Sequence, residues 1–273
     1  MGQTKQKNNM EKSSRGKILL NMQMSPLDYN QGVMLLQLIC DLEERKREDV
    51  ILMLTYRYDM KVDRHLENIV KHKFEHVFWH ITERKGNGWP AGPNAMMSDG
   101  YLAAINMQRR GIDIDAVMFI EFDCVPLVKD WIDQLKAEWD SCRKAGKSVL
   151  GPWLEAADAG DAAGKHINGN CIIAVDYWRK NRGILNSPEN IGWDVYHANN
   201  MCAEGMASRL IYSDYRLGTA DNPWKGDAYL WEAKGYGAVT NPLYGEKLFP
   251  VWLHGVKCLQ GIKAARKKLL TSG

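Results

Sequence analysis

Apolar runs alternate with amphipathic stretches along the first half of the chain. Continuous apolar runs predict strands at residues 17–23, 49–56 and 75–81, and apolar positions spaced three and four apart predict helices over 31–46 and 62–72. This alternation of strand and helix is typical of a parallel sheet whose crossover connections are helical. The pattern therefore predicts an α/β fold with a mostly parallel, Rossmann-like central sheet flanked by helices in a single domain.

The second half of the chain contains similar but shorter elements. Residues 86–94 are rich in Gly and Pro and predict a loop, after which a helix is expected over 96–110 with Asn94 or Ser98 as its cap. A buried strand is predicted at 116–120. Further helices are expected at 130–144, 193–208 and 262–270, and further strands at 149–154, 171–175 and 210–212. The small, acidic and glycine-containing segment 155–164 predicts a mobile loop.

The length of 273 residues allows one large domain with a sizeable core. Residues 1–15 are polar and basic and predict a disordered tail, residues 16–258 the folded domain, and residues 259–273 a basic C-terminal helix. The tail lacks the apolar segment of a secretory signal, and no run is long enough to span a membrane. We therefore expect a cytoplasmic protein, of a bacterium or of a phage-infected cell, without a membrane partner.

Charge and cysteine content narrow the range of partners and cofactors. The net charge of +3 is too weakly basic to indicate nucleic acid by itself. The six cysteines are scattered without a C-x-x-C pair, so they predict reduced structural thiols and argue against a zinc site. The ten tryptophans suit either a core or flat aromatic contacts to sugars and bases. Nothing in these numbers predicts an oligomeric state.

An acidic segment directly follows the predicted strand at 116–120. If the strand continues, its alternation places Glu121 and Asp123 on one side and Phe122 on the other. Two carboxylates at the end of a buried strand are costly unless a positive charge lies between them. Mg²⁺ and Mn²⁺ prefer such hard oxygen ligands, so the segment predicts a divalent metal site. The alternative is a strand end whose acids point into solvent.

Other polar groups are expected at the same edge of the sheet. In open α/β sheets, ligands bind outside the carboxyl ends of the strands. Asp59 follows the strand at 49–56, and the loop at 86–94 follows the strand at 75–81. A Gly-rich loop that opens onto a helix N-terminus is suited to phosphate or sugar contacts, although a plain connector has the same composition.

The chain contains four local patterns, E-F-D at 121–123, H-I-N-G-N at 166–170, G-W-D at 192–194 and H-G-V-K at 254–257. Together they resemble the GT-A class of nucleotide-sugar glycosyltransferases, and the resemblance covers residues 17–257. The segment E-F-D at 121–123 is similar to the D-x-D position of that class, with Glu where Asp is usual. The segment H-G-V-K at 254–257 resembles the late histidine and lysine that complete the metal site and meet the diphosphate in several such families. The segment H-I-N-G-N at 166–170 resembles an acceptor or donor-sugar segment, and G-W-D at 192–194 the helix-borne acid near the acceptor hydroxyl.

The resemblance implies a function and a role for each matching residue. It implies metal-dependent transfer of a sugar from a nucleotide diphosphate sugar, with UDP favoured, to a hydroxyl acceptor. The expected metal ligands are Glu121, Asp123 and His254, with Mn²⁺ favoured over Mg²⁺ because His is a poor Mg²⁺ ligand. Asp194 is the expected general base. Donor contacts are expected from Thr55, Arg57, Asp59, Asn94 and Lys257, and substrate contacts from Trp89, His166, Asn168, Asn170 and Trp193. Residues 16–125 would form the nucleotide-binding half and residues 126–258 the acceptor half.

Several alternatives stay open from the sequence. Asp194 equally suits a helix N-terminal acid, Asn168 and Asn170 suit turns, and a lone histidine such as His254 is often structural. The acceptor is either a surface glycan or a hydroxymethylated pyrimidine in phage DNA. A non-catalytic carbohydrate or nucleic-acid binding module is the alternative to an enzyme. Nucleotidyl transfer would require a Gly-rich basic loop after the first strand, which residues 22–26 do not supply.

Overall fold

The computed structural model describes residues 16–154, 165–181, 186–213, 239–240, 247–248, 250–256 and 259–271. The predicted disordered tail at 1–15, the predicted mobile loop at 155–164 and the predicted diphosphate contact Lys257 therefore lie outside the described residues. No disulfide joins the five cysteines that fall within these ranges.

Strands and helices alternate through the first half of the chain, as the apolar pattern predicts. The strands are β1 (Lys17–Met24), β2 (Arg47–Tyr56), β3 (Phe74–Ile81), β4 (Ile114–Ile120), β5 (Cys124–Pro126), β6 (Val149–Gly151), β7 (Trp153–Leu154), β8 (His166–Ile167), β9 (Ile172–Ala174), β10 (Gly205–Ala207), β11 (Ile211–Ser213), β12 (Val239–Thr240), β13 (Lys247–Leu248) and β14 (Trp252–His254). The helices are α1 (Tyr29–Leu42), α2 (Arg64–Lys71), α3 (Ala91–Arg109), α4 (Trp131–Lys144), α5 (Val175–Lys180), α6 (Trp193–Tyr196), α7 (Ala198–Ala203) and α8 (Leu259–Thr271).

A seven-stranded sheet forms the centre of the described structure, in the order β10-β6-β9-β4-β1-β2-β3. β4, β1, β2 and β3 are mutually parallel, whereas β9 runs antiparallel between β4 and β6. The residues of β1 and β4 are almost all buried, as expected for strands that are covered on both faces. The predicted α/β class with a mostly parallel central sheet is therefore confirmed.

A smaller three-stranded sheet, in the order β11-β14-β5, extends from the end of β4. Its strand β5 follows β4 after a turn of three residues, and β14 pairs antiparallel with it, which places His254 opposite Cys124. β11 pairs parallel with β14 and places Ser213 opposite His254. This second sheet therefore carries a late segment of the chain to the carboxyl end of the central strand.

Helices cover the main sheet and pack through apolar side chains. Trp131 and Trp139 of α4 are 0% and 2% exposed, so they belong to the core, as their spacing predicts. The C-terminal helix α8 packs on α1 and buries Ile262 and Ala265. None of the helices that the structure describes combines the length and the apolar character that a membrane span requires.

Three predicted elements differ from the structure. α3 begins at Ala91, so the last residues of the predicted loop are helical, and neither Asn94 nor Ser98 occupies the cap position. The strand predicted at 149–154 divides into β6 and β7 at Pro152, which cannot donate a ladder hydrogen bond. The helix predicted at 193–208 divides into α6 and α7 and ends in β10.

Candidate functional site

A cleft of about 570 Å³ lies at the carboxyl ends of the central strands. Ser25, Arg57 and Glu121, which follow β1, β2 and β4, line it together with the first turns of α3. This volume is in the range of clefts that bind small molecules and cofactors. The predicted position of the binding site, outside the carboxyl ends of parallel strands, matches the position of the cleft.

The acidic segment forms a turn rather than a continuation of the strand. β4 ends at Ile120, and the N–H of Cys124 donates to the carbonyl of Glu121 at 3.2 Å. The N–H of Glu121 donates to Oδ1 of Asn170 at 3.2 Å, which fixes the start of the turn. Strand alternation is thus the wrong reason for expecting Glu121 and Asp123 together, because the turn brings their carboxylates to one place.

The two carboxylates of this turn meet the imidazole of His254. Nε2 of His254 lies 3.2 Å from Oε2 of Glu121 and 3.4 Å from Oδ1 of Asp123. One ligand atom from each of the three residues falls within 4.8 Å of the others. Asp123 is 1% exposed and His254 is 3% exposed, whereas Glu121 lies at the cleft surface.

Backbone and side-chain hydrogen bonds hold His254 against the acidic turn. The carbonyl of Asp123 accepts from the N–H groups of Gly255 and Val256, at 3.0 and 2.8 Å. Nδ1 of His254 lies 2.8 Å from Oγ of Ser213, so the second ring nitrogen faces the carboxylates. Gly255 has a φ of +106°, which residues with a side chain rarely adopt. The chain reversal after His254 therefore depends on glycine at this position.

The environment of His254 favours the protonated ring in the metal-free protein. Burial lowers the pKa of His254, but the charges of Asp123 and Glu121 and the hydrogen bonds to them overcome that effect and raise the pKa to about 9. The imidazolium therefore occupies the position between the carboxylates in which a divalent cation would neutralise them.

The donor atoms of this cluster fit a divalent metal. Two carboxylate oxygens and one imidazole nitrogen lie close enough together to bind one ion, within 4.8 Å of one another. A mixed oxygen and nitrogen set suits Mn²⁺ better than Mg²⁺, which prefers oxygen ligands alone. Glu121, Asp123 and His254, three residues predicted as metal ligands, are therefore brought together by the structure.

Asp194 lies on another wall of the cleft, at the start of α6. Its Oδ2 accepts from the N–H of Gly169 and its Oδ1 from the N–H of Val195, both at 3.0 Å. Burial raises the pKa of Asp194 above its usual range and the charge of Glu121 adds to this, although His166 and the backbone N–H groups oppose it. Nε2 of His166 is 4.0 Å from Oδ2 of Asp194. Asp194 is therefore an oriented carboxylate with raised basicity.

The remaining predicted contacts divide into residues that line the cleft and residues that support it. Those that line the cleft are Arg57, Trp89, Asn94, His166, Asn168 and Trp193. Thr55 does not face the cleft, because it is 0% exposed and its hydroxyl donates to Oδ1 of Asn21 at 2.6 Å. Asp59 lies outside the cleft lining and forms an ion pair with Arg57. Asn170 is buried below the acidic turn, so it positions Glu121 instead of contacting a ligand.

The role of Asn94 also differs from the predicted donor contact. Its Nδ2 donates to the carbonyls of Pro188 and Ile191, at 3.0 and 2.8 Å, and its Oδ1 accepts from the N–H of Trp193 at 2.9 Å. The amide is therefore engaged with the segment that leads into Asp194. Trp193 itself is 4% exposed and packs on Phe119, so its ring belongs mainly to the core.

Sequence reasoning missed several residues of the site. Gln23, near the end of β1, and Ser25 and Asp28, just beyond it, line the cleft, as the rule for strand ends predicts when it is applied to β1 as well. Asn190 also lines the cleft. Ser213, which contacts His254, follows from no motif because only the pairing of β11 with β14 brings it there.

Comparison with known proteins identifies the fold but no sequence family. No protein-family model matches the chain, and no curated protein matches it. Among solved structures, mouse Xyloside xylosyltransferase 1 in its apo form has a TM-score of 0.52 at 10% identity, over 89% of this chain and 99% of that chain. The glycosyltransferase GlyE of Streptococcus pneumoniae TIGR4 has a TM-score of 0.48 at 10% identity, over 92% and 60%. A cytidylyltransferase from Leptospira borgpetersenii has a TM-score of 0.44 at 17% identity, over 70% and 74%.

The first of these similarities covers nearly the whole of both chains. At this level of identity a structural likeness shows the fold alone. The chain therefore has a GT-A-like fold, as the resemblance of its local patterns predicts.

Proposed function

We propose that this protein is a metal-dependent glycosyltransferase that moves a sugar from a nucleotide diphosphate sugar, with UDP favoured, to a hydroxyl acceptor. The observation that carries the proposal is the convergence of Glu121, Asp123 and His254 within 4.8 Å at the carboxyl edge of a GT-A-like sheet. The cleft beside them has the volume to hold a nucleotide sugar.

Glu121, Asp123 and His254 would hold the metal, with Mn²⁺ favoured. When bound, a divalent cation supplies positive charge to the diphosphate leaving group. Two neighbouring residues would hold these ligands in position. Asn170 accepts a hydrogen bond from the N–H of Glu121, and Ser213 contacts Nδ1 of His254.

The other polar groups of the cleft have roles that follow from their chemistry. Asp194 would accept the proton of the acceptor hydroxyl, because its carboxylate is oriented by two N–H groups and its pKa is raised. Arg57 presents a permanent cation at the end of β2, where a nucleotide phosphate would be stabilised, and Asp59 holds its guanidinium in place.

Calorimetric titration of UDP, with and without Mn²⁺, tests the proposal directly. We expect nucleotide binding that depends on the metal, and a thermal-shift panel of nucleotide sugars with Mn²⁺ would then identify the donor. Nucleoside diphosphates with other nucleobases serve as controls for the preference for uracil. Binding of UDP that is absent, or equally tight after metal removal, would contradict metal-dependent transfer.

A further inference from the structure

We infer that the acceptor is a neutral carbohydrate whose apolar face stacks on the indole of Trp89. This inference rests on the proposed function and assigns the substrate class of the same cleft. The sequence leaves a surface glycan and a modified DNA base as alternatives. The exposed indole of Trp89 and the charges of the described lining now favour the glycan.

Trp89 differs from the other large aromatic residues in its exposure. It is 79% exposed and lines the cleft, whereas Trp131, Trp139, Trp178, Trp193 and Trp252 are at most 4% exposed. It lies directly before α3, between Gly88 and Pro90. A large apolar ring that is exposed to water beside a cleft is stabilised when a ligand covers it. The C–H groups on one face of a sugar ring provide such a cover.

Gly192 keeps a narrow space open between Trp89 and Asp194. A methyl group added at Gly192 would lie 2.9 Å from Oδ1 of Asp194 and 3.8 Å from Cζ2 of Trp89. The edge of the indole and the carboxylate therefore border the same small space. A sugar stacked on Trp89 would have a hydroxyl within reach of the carboxylate of Asp194.

Polar side chains around this space suit the hydroxyl groups of a sugar. Asn168 and Asn190 line the cleft, and an amide carries both donors and an acceptor. Oδ1 of Asn168 already accepts from the N–H of Asn170 at 3.1 Å, which orients its Nδ2 as a donor. Hydroxyl groups can donate and accept with the same partners, so amides of this kind orient a carbohydrate without any charge.

The charges that line the cleft disfavour a polyanionic acceptor. Among the described lining residues, the carboxylates are Asp28, Glu121, Asp123 and Asp194, and the permanent cation is Arg57. Proteins that bind DNA neutralise several phosphates with Lys and Arg. His254 or a metal compensates Glu121 and Asp123, but among the described lining residues Arg57 alone carries a permanent positive charge, and it is already paired with Asp59. This lining therefore lacks the cluster of cations that a DNA strand requires. A neutral glycan has no such requirement.

The first test compares the rates of transfer to different acceptors. With the donor identified by thermal shift, transfer is measured to a panel of neutral oligosaccharides and to single- and double-stranded oligonucleotides that contain hydroxymethylated pyrimidines. We expect transfer to a neutral oligosaccharide, at a rate that changes little between roughly 50 and 200 mM salt. Transfer to the oligonucleotides alone would overturn the inference.

The variant Trp89→Ala tests the stacking contact. We expect KM for the oligosaccharide to rise about 10-fold, which corresponds to about 1.4 kcal/mol, because the variant removes the apolar surface on which the sugar stacks. The Kd for UDP with Mn²⁺ and the rate of donor hydrolysis without acceptor should not change. Trp89→Phe should recover part of the loss, and Tyr196→Ala, which removes an aromatic ring that is 50% exposed outside the cleft lining, should have no effect.

The possible results separate the inference from the proposed function. An unchanged oligosaccharide KM in Trp89→Ala, with normal donor hydrolysis, would overturn the stacking contact and leave glycosyl transfer standing. Absence of both nucleotide binding and donor hydrolysis in the wild-type protein would overturn the proposed function and this inference with it. Gly192→Ala provides a second variant, and we expect its added methyl group to raise the oligosaccharide KM and, because it lies 2.9 Å from Oδ1 of Asp194, to lower kcat as well.

Discussion

Asp123 and His254 are ionisable groups in positions almost closed to water. They are 1% and 3% exposed, and an isolated charge in such a place costs several kcal/mol. Each is tolerated because the other lies 3.4 Å away, with Glu121 completing the group. A variant that removes one of them can therefore affect both metal binding and stability, and both should be measured.

Asp123→Asn keeps the shape of the side chain and removes its charge. We expect Mn²⁺ affinity and turnover to fall by roughly 100-fold or more, because a carboxylate ligand at a buried site is replaced by a neutral amide. Calorimetry with Mn²⁺ checks the affinity. Asp130→Asn, at an exposed position before α4, is the matched control, and a similar Mn²⁺ affinity in both variants would contradict the assignment of Asp123 as a ligand.

His254 makes the stability of the metal-free protein dependent on pH. Its pKa is about 9 in the folded state and about 6.5 in an unfolded chain, so its contribution is complete below pH 6.5 and is lost as pH rises through 9. The loss amounts to about 3 kcal/mol at about 1.4 kcal/mol per pKa unit. Urea unfolding of the metal-free protein and of His254→Gln measures it. A wild-type decline no steeper than that of the variant would show that His254 is not responsible.

Asp194 should set the acid limb of the rate profile. A general base acts only when deprotonated, and burial raises the pKa of Asp194 above that of an ordinary aspartate, about 3.9. We therefore expect kcat to fall with decreasing pH at values higher than an ordinary carboxyl would give. Asp194→Asn should lower kcat strongly and leave the Kd for donor unchanged. If kcat of Asp194→Asn still falls with decreasing pH over the same range, a group other than Asp194 causes that fall.

The sequence predicts which residues reach the carboxyl edge of the sheet better than it predicts where their side chains point. Glu121, Asp123 and His254 converge as expected. Thr55 also lies near the end of a strand, but its hydroxyl donates to Asn21 on the neighbouring strand. Helices cover both faces of a parallel sheet, so a side chain within a strand is buried rather than exposed to the cleft. The direction of one side chain depends on local register, which a single sequence does not show.

At the scale of elements, Asn94 ties the first turn of α3 to the segment before α6. Loss of its side chain would leave two partly buried carbonyls, which water can reach, and the buried N–H of Trp193 without this partner. We expect Asn94→Ala to lower the free energy of unfolding by about 2 kcal/mol, mainly because the N–H of Trp193 loses its acceptor, at roughly 1–3 kcal/mol per unsatisfied buried group. We also expect a lower kcat, since Asp194 begins α6.

Thermal unfolding and steady-state kinetics check this effect. Asn106→Ala, at an exposed position on the same helix, is the control for helix propensity. Asn94→Asp keeps the acceptor for Trp193 but sets a carboxylate oxygen against the carbonyls of Pro188 and Ile191, so it should not restore the stability of the wild type. If Asn94→Ala is as stable and as active as Asn106→Ala, the hydrogen bonds of Asn94 to the segment before α6 are not needed for stability or activity.

The boundaries of elements were less predictable than their existence. β1, β2, β3 and β4 are found where continuous apolar runs predict them. The helix predicted at 193–208 fails because the chain turns at His197 and again at Glu204, where α7 gives way to β10. Both breaks follow from packing against the sheet, which local propensity does not include.

At the scale of the whole molecule, α8 joins the end of the described chain to α1, near its beginning. Ile262 is 0% exposed where α8 packs on α1. We expect Ile262→Ala to cost about 2–5 kcal/mol of stability, as for other buried aliphatic truncations. Arg266→Ala, which removes a partly exposed ion pair with Asp41, should cost no more than about 1 kcal/mol.

Chemical denaturation and measurement of Mn²⁺ affinity together show whether α8 contributes to stability alone or also to metal binding in the cleft. A loss of stability in Ile262→Ala with normal Mn²⁺ affinity is the expected outcome, because α8 lies outside the cleft lining. Equal stability of Ile262→Ala and Arg266→Ala would show that the apolar contact is not important.

The overall α/β arrangement was predictable because alternation of strand and helix constrains a chain to few topologies. The antiparallel insertion of β9 and the second sheet were not, since short strands such as β11 and β14 leave almost no periodic signal. The long-range pairing of β14 with β5 is nevertheless what brings His254 to Glu121 and Asp123.

That pairing has a consequence for the order of events during protein synthesis. The nascent chain carries Glu121 and Asp123 long before His254 leaves the ribosome, so half of the cluster exists early as two neighbouring acids that lack their nitrogen partner. Strong capture of Mn²⁺ should therefore begin only after translation has passed β14. Acquisition of the ion would then report that the polypeptide is complete enough to work.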